Sequence, residues 1–560
     1  MRPADGGFDR TLTHYGDRGF SSFVRRAFLK SAGYDAADQE RPVIGIAHGI
    51  SDYTTCHRHM PEVVEAVKRG VLEAGGLPMA FPTMSLPEIL LSPTSMLFRN
   101  LLAMEVEELL LAQPMDAAVL VGGCDKTLPG QLMGALSADL PFVALPVGPM
   151  SSGSWEGRRV GACTDCRQTW QRFRAGELDE EQVADAQGRL CPDSGTCMVM
   201  GTASTMACLS EVLGFGLPGS GTPRSGSGAR LRAAVATGRR AVEIARERLT
   251  PRSFLSEASF RNAITALYAL GGSTNAVIHL LAIAGRAGIP LSLTDFASLT
   301  DDVPVLVDVK PVGTRFLGDL DEVGGVPVVV RALADRFDLS ARTVTGQTWA
   351  AQVADVPGVP PWQDVVRPLD APVKPAPGMK VVFGSLAPDG AVIKTGAADP
   401  RLLKHRGPAL VFDSVEEAEE RLSDPDLAVT PDHVLVLRNI GPVASGMPEA
   451  GSLPIPTVLA RQGVKDMVRV SDGRMSGTAY GTTVLHCAPE AAVGGPLSLV
   501  RDGDEIELDV AAGRIDLLVS EEDLRARTPA PPPSWLATTR WRRVFTRSVG
   551  QAGTGADLVD

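Results

Sequence analysis

Cysteine, positive charge and long apolar runs are all scarce in this sequence, and each shortage excludes something. Eight cysteines in 560 residues are too few for the disulfide framework of a secreted scaffold, so they read as thiols or metal ligands of a reducing compartment. Lysine and arginine total 54 against 66 aspartates and glutamates, a formal net charge of −12. That balance argues against nucleic acid or an anionic membrane surface as a partner. No apolar run reaches the roughly 18–20 residues of a membrane-spanning helix, and no internal repeat or low-complexity tract is visible. The pair Arg25-Arg26 resembles the start of a twin-arginine export signal. The stretch after it, 31–40, is polar and acidic and lacks the apolar region that such a signal needs. A cytoplasmic location is the expectation.

What is present is the composition of a globular protein, 44% hydrophobic and 21% charged, in a chain long enough for two to four domains. After a surface arm over 1–40, strand and helix patterns alternate. Strands are predicted at 43–47, 77–83, 117–121 and 141–147. Between the first two, Met60, Val63, Val64, Val67, Val71 and Leu72 are expected to share one helix face, closed by Gly75-Gly76. Helices are also predicted over 96–113, 130–138, 177–187 and 201–212, and they dominate 229–288. Such alternation is the pattern of a doubly wound parallel sheet. Pro368, Pro372, Pro375 and Pro377 then cluster in a stiff connector over 367–380. Beyond it β signals prevail, at 380–383, 391–394, 433–437 and 467–470, with a hairpin formed by 505–510 and 514–519. The expected fold is α/β: a doubly wound N-terminal unit over 1–370, and a smaller β-rich, barrel-like unit over 380–560.

The stretch from Ala117 to Gly130 is the most informative. Its apolar strand ends at Gly122-Gly123, and Cys124, Asp125 and Lys126 follow at once. In an open α/β sheet, ligands bind at the carboxyl ends of the strands, so a soft and a hard metal could sit here side by side. Cys56, Cys124 and Cys197 all stand in polar, Gly-flanked loops, yet their separations are too long for spacing to decide between a shared cluster and three buried thiols. Cys163-Thr164-Asp165-Cys166 is a CxxC without a second pair at zinc-site spacing. Cys208 and Cys487 read as core or near-surface thiols. Single acidic residues such as Glu88 and Glu449 are ordinarily solvated, and Ser476 alone is a turn residue between glycines.

Several blocks nevertheless resemble the dihydroxy-acid and sugar-acid dehydratase family. They are Gly122-Gly123-Cys124-Asp125-Lys126-Thr127, Gly195-Thr196-Cys197-Met198-Val199-Met200-Gly201 and Gly271-Gly272-Ser273-Thr274-Asn275. Pro388-Asp389-Gly390-Ala391-Val392-Ile393-Lys394, Gly446-Met447-Pro448-Glu449 and Ser471-Asp472-Gly473-Arg474-Met475-Ser476-Gly477 continue the match in family order over most of the chain. The resemblance implies a [2Fe–2S] cluster on Cys56, Cys124 and Cys197, with one iron left open as a Lewis acid. It also implies Mg²⁺ on Glu88, Asp125, Glu449 and Lys126, the lysine carried as a carbamate, and Ser476 as the catalytic base. The implied reaction converts a 2,3-dihydroxy acid to a 2-keto-3-deoxy acid, in a homodimer or homotetramer.

Arg474-Met475-Ser476-Gly477-Thr478-Ala479-Tyr480-Gly481 and Ala488-Pro489-Glu490 look like the sugar-acid branch, so an aldonate such as L-arabinonate or D-xylonate is the expected substrate. The alternatives are a branched-chain dihydroxy-acid dehydratase and a non-catalytic metabolite-binding relative. Pro87 before Glu88, the absence of lysine from 440–446 and the divergent C-terminal segment 541–560 depart from the family pattern. His57 and His59 are candidates for contact with the site, Asp472 and Arg474 for support of the Ser476 loop, and the loop 216–228 for contact with substrate.

Overall fold

A computed structural model of the chain describes residues 6–300, 303–533 and 538–559. Residues 1–5 of the expected arm and Asp560 of the C-terminal segment lie outside the described residues. The arm carries a helix, Arg18–Ser31, capped by the Asp17 side chain.

Four parallel strands form the first sheet: β1 (Val43–His48), β2 (Leu77–Pro82), β3 (Ala117–Gly122) and β4 (Phe142–Pro146), in the order β2-β1-β3-β4. Every residue of β3 and β4 is buried, because helices cover both faces. That explains why they read as unbroken apolar runs rather than alternating ones. The strand order reverses between β1 and β3, and such a switch point opens a crevice at the strands' carboxyl ends. The helix Met60–Glu73 crosses Gly228–Glu247 so closely that a Cβ on Gly70 would stand 2.0 Å from Val235 O, and one on Gly238 2.2 Å from Val67 O. Only glycine permits that approach. A short hairpin follows, β5 (Gly153–Trp155) and β6 (Arg158–Val160).

The second unit is a closed eight-stranded barrel. Its strands are β7 (Lys380–Gly384), β8 (Ala387–Ile393), β9 (Lys404–Phe412), β10 (Val434–Leu437), β11 (Arg469–Ser471), β12 (Thr483–Ala488), β13 (Glu505–Asp509) and β14 (Arg514–Leu517). Around the barrel they run β10-β11-β12-β8-β7-β14-β13-β9, and closure leaves no edge strand exposed. The expected α/β class, with a parallel sheet first and a barrel second, is what the chain adopts.

Differences from the sequence reading have local causes. Strands β9 and β12 went unpredicted: Gly407-Pro408 interrupts the first, and His486, with φ of 59°, bends the second. The acidic helix runs Glu180–Leu190 rather than 177–187, because Asp179 accepts from Gln182 N while Gln182 accepts from Asp179 N. The proline-rich connector is no free spacer. Arg367 N donates to Leu306 O at 2.8 Å and Val373 N to Val305 O at 2.9 Å, which ties it to the N-terminal unit. Among the described residues no helix is long and apolar enough to cross a membrane.

Candidate active site

Adjacent sheet strands deliver the three family-matched cysteines from their carboxyl ends. Cys56 lies in the turn Thr55–His57 beyond β1, Cys124 just after β3, and Cys197 in a loop fastened to the segment that follows β4 by Thr196 N to Gly148 O (3.0 Å) and Met150 N to Thr196 O (2.9 Å). Cys124 adopts φ of 62°, a left-handed conformation for a non-glycine residue. A Cβ on neighbouring Gly123 would stand 2.2 Å from the Val147 side chain, so the tight turn needs glycine there. Cys124 is in hydrogen-bonding contact with Cys56, and that contact together with burial holds its thiol well above the ordinary range. The Cys197 thiol is raised in the same way by Cys163, whose Sγ lies 3.7 Å away, and by burial. Metal binding here would therefore release protons.

Beside these thiols, Glu88, Asp125 and Glu449 each present an oxygen, all within 4.8 Å of one another. Lys126 Nζ sits among them, 2.9 Å from Glu88 and 3.6 Å from both Asp125 and Glu449. Arg474 approaches from the barrel, 2.8 Å from Glu449 and 3.7 Å from Glu88. Burial would push Glu88 up, but Lys126, Arg474 and the Ser95 hydroxyl bring it down to about 2. Asp125 goes the other way, to about 6, because burial and the two neighbouring carboxylates outweigh Lys126. Burial and Arg474 disfavour the Lys126 ammonium, yet the three carboxylates hold it above its usual value.

Loops of the barrel close the site. Arg474 is fully buried and donates to Met447 O (2.7 Å), to Glu449 (2.8 Å) and to Thr94 Oγ1 (3.1 Å). Asn275 Nδ2 donates to Glu449 Oε1 at 2.8 Å and to Thr202 Oγ1 at 2.9 Å, so the blocks around 202, 275, 449 and 474 converge. The Ser476 hydroxyl pairs with Thr478 Oγ1 at 2.8 Å and is partly exposed. Next to it, Lys394 Nζ donates to Gly477 O at 2.9 Å, and burial alone pulls this ammonium down to about 7.

The expected metal ligands thus meet as two neighbouring donor sets, one of thiols and one of carboxylates. Sequence reasoning gave three participants less than their place in the site. Arg474 is an ion-pair partner of the carboxylates, beyond supporting its loop. Lys394 is a buried cation beside the serine. Cys163, read as part of a CxxC without partners, abuts Cys197, and its only sequence signal was that motif. Asp472 does support the loops, accepting from Asn439 N, Ile440 N and Ala491 N. His57 and His59 pair with the carbonyls of Gly49 (2.7 Å) and Val147 (2.8 Å), holding loops in place. Within the loop 216–228, Gly219 N and Gly221 N donate to Glu211, and Arg230 donates to Ser220 O and Pro223 O. Cys208 and Cys487 are buried.

Residues 41–352 match the family model for the dihydroxy-acid/6-phosphogluconate dehydratase N-terminal region, and residues 364–556 match the C-terminal one. Among curated proteins, the chain is 44% identical to a 6-deoxy-6-sulfo-D-gluconate dehydratase of Pseudomonas putida, over 96% of this chain and 93% of that protein. It is 43% identical to an L-arabinonate dehydratase of Rhizobium leguminosarum bv. trifolii, over 98% and 95%. To a dihydroxy-acid dehydratase of Moorella thermoacetica it is 38% identical, over 96% and 98%.

Proposed function

Since the chain belongs to the dihydroxy-acid/6-phosphogluconate dehydratase family and is a dehydratase, a hydro-lyase, we propose that it converts an aldonate such as L-arabinonate or D-xylonate to the 2-keto-3-deoxy acid. The observation that carries this reading is the juxtaposition of Cys56, Cys124 and Cys197 with the trio Glu88, Asp125 and Glu449 at one end of the sheet.

The residues present fit the two groups the family implies. Thiols are soft donors suited to iron, and three carboxylates within 4.8 Å form a hard oxygen set suited to Mg²⁺. Cys56, Cys124 and Cys197 would hold a [2Fe–2S] cluster, and Glu88, Asp125 and Glu449 would hold Mg²⁺. Lys126 would join the Mg²⁺ ligands once carbamylated, because its ammonium would repel a divalent cation. When bound, the two centres supply Lewis acidity at the substrate's carboxylate end and at its departing hydroxyl.

The chain's own groups do the rest. Ser476 Oγ takes the proton from C2, with the Thr478 hydroxyl positioned to receive or return a hydrogen bond. A serine is a weak base, so its alkoxide depends on the positive charge around it, and Lys394 adds to that charge through the adjacent Gly477 carbonyl. Arg474 and Asn275 fix Glu449. Loss of the C3 hydroxyl as water leaves an enol that tautomerises to the keto acid. In this reading the unit over 1–370 carries the cysteines and most Mg²⁺ ligands, the unit over 380–560 carries Glu449 and the serine, and the enzyme works in the cytoplasm as a homodimer or homotetramer.

The test is anaerobic purification followed by a screen of aldonates for 2-keto-3-deoxy products. Turnover of a pentonate well above that of 2,3-dihydroxyisovalerate is the expected result. The reverse order would favour the branched-chain reading. Colourless, iron-free protein that yields no keto acid would leave only a metabolite-binding role.

A further inference from the structure

Two half-buried free thiols lie side by side, with Cys163 Sγ 3.7 Å from Cys197 Sγ. Cys163 stands just before the helix Thr164–Arg174 and holds φ of 74°. A non-glycine residue keeps that conformation only where its surroundings impose it. Here Asp165 accepts from Gly161 N at 2.6 Å and from Lys310 Nζ at 2.8 Å, and the Thr164 hydroxyl donates to Thr478 O at 3.1 Å. On the other side, Ser204 Oγ donates to Cys197 O at 2.7 Å. Met150, Ala162, Met198, Val199 and Phe316 pack together with both sulfurs. Two separately fastened loops thus hold the thiols in contact.

The CxxC spacing alone would pair Cys163 with Cys166. The fold points elsewhere, because Cys166 Sγ accepts the Cys163 N–H at 3.2 Å and packs with Trp155, Val160 and Leu178, whereas Cys163 packs with Cys197. Closing 3.7 Å to the ~2.05 Å of a disulfide is a movement of side-chain scale. Redox-sensitive cysteines are accessible thiols with a second cysteine poised beside them, and both members of this pair are partly exposed.

We propose that Cys163 and Cys197 form a reversible redox pair: when Cys197 carries no iron, a peroxide converts the two thiols to a disulfide. In the first step the Cys197 sulfur attacks a peroxide oxygen, the O–O bond breaks, and a sulfenic acid and one water result. The Cys163 sulfur then attacks the Cys197 sulfur, the S–O bond breaks, and a second water leaves with the remaining thiol proton. The two sulfurs give up two electrons, and the peroxide takes them. A sulfenic acid with no thiol beside it goes on to sulfinic acid, which ordinary reductants do not reverse. Cys163 therefore keeps Cys197 recoverable, and the disulfide withholds Cys197 from iron until a dithiol opens it. The inference goes beyond the dehydratase reaction, and its consequence for iron rests on the reading of Cys197 as a cluster ligand.

The test uses the full chain, made cluster-free with a chelator under anaerobic reducing conditions, freed of reductant and treated with a slight excess of hydrogen peroxide. Peptide mapping should find Cys163 joined to Cys197. Uptake of iron and sulfide should fall roughly 10-fold or more, until dithiothreitol restores it. In Cys163→Ser, and equally in Cys163→Ala, Cys197 should instead gain oxygen, and dithiothreitol should no longer restore uptake. Oxygen added to Cys197 to the same extent in wild type and both variants, or a bridge from Cys163 to Cys166 or Cys191, would overturn the pair. If Cys197→Ser takes up as much iron and sulfide as the wild type, the ligand reading fails. The bridge between Cys163 and Cys197, present or absent in the wild-type peptide map, then still decides the modification site.

Discussion

The two sides of the site are built by different means. On the sheet side, Cys124, Asp125 and Lys126 continue directly from β3, whose neighbours β1 and β4 hold its backbone by parallel pairing. On the barrel side, Glu449 and Ser476 sit in loops between strands, and polar side chains position them: Arg474 and Asn275 for the glutamate, Lys394 and Thr478 for the serine region. Backbone geometry sets one half and electrostatics the other. Substitutions on the sheet side should therefore remove a ligand and leave the fold, whereas those on the barrel side should disturb charge balance and stability.

The largest effects separate the cluster from the base. Cys124→Ser should abolish the visible iron–sulfur absorbance and all turnover while circular dichroism stays native. Ser476→Ala should keep iron content and colour and lose turnover by roughly 10²–10⁴-fold, the span of a general base. A Ser476→Ala enzyme of full activity would remove the serine from the mechanism.

Arg474→Met tests the electrostatic half. Removing a buried partner leaves Glu88 and Glu449 short of one cation, and a broken buried pair costs about 3–5 kcal/mol. Denaturant unfolding should report that loss, and added Mg²⁺ should restore part of it by binding the folded state. If Mg²⁺ stabilised the wild type and the variant equally and the variant lost no stability, Arg474 would not be the counter-charge of this site.

What could be read from the sequence follows the same division. Val119-Leu120-Val121-Gly122-Gly123-Cys124-Asp125-Lys126 is local: an apolar run, two glycines and the ligands in a row. Strand, turn and donor set could be read together without knowing anything else in the chain. Glu88 and Glu449 were ordinary loop carboxylates until β2, β3 and a barrel loop brought them within 4.8 Å of Asp125, and only the family resemblance singled them out beforehand. Arg474 was legible only as support for its loop and Lys394 only as the last residue of a family block, since the burial of a cation depends on elements hundreds of residues away. The parallel sheet could be foreseen from its unbroken apolar strands. Strands β9 and β12 could not, because Gly407-Pro408 and the bend at His486 break the period that marks a strand.

Cys163 lies between the two cases, since a visible CxxC gained its meaning only from a fold that sets it 3.7 Å from Cys197. With three cysteines as ligands, Cys197→Ser should lose the cluster, while Cys163→Ser should retain it. Iron and acid-labile sulfide per chain decide this. Equal loss in both variants would make Cys163 a ligand as well.

The smallest effect concerns Lys394 and appears as a pH dependence. In the folded chain burial places its ammonium at about 7, against an ordinary 10.5. Between those values the unfolded chain binds the extra proton, so the lysine's contribution to stability rises with pH across that window and is lost as pH falls from 10.5 toward 7. The slope is on the order of 1.4 kcal/mol per pH unit at most. Lys394→Met cannot titrate, so the stability gap between wild type and variant should widen in favour of the wild type from pH 7.5 to pH 9.5, as read by urea unfolding at each pH. Raised carboxylates such as Glu211 and Glu490, both near 7, contribute in the opposite sense below that window and cancel in the comparison because both proteins carry them. A gap that stays constant would mean that Lys394 keeps its proton throughout, with the charge beside Gly477 permanent rather than set by pH.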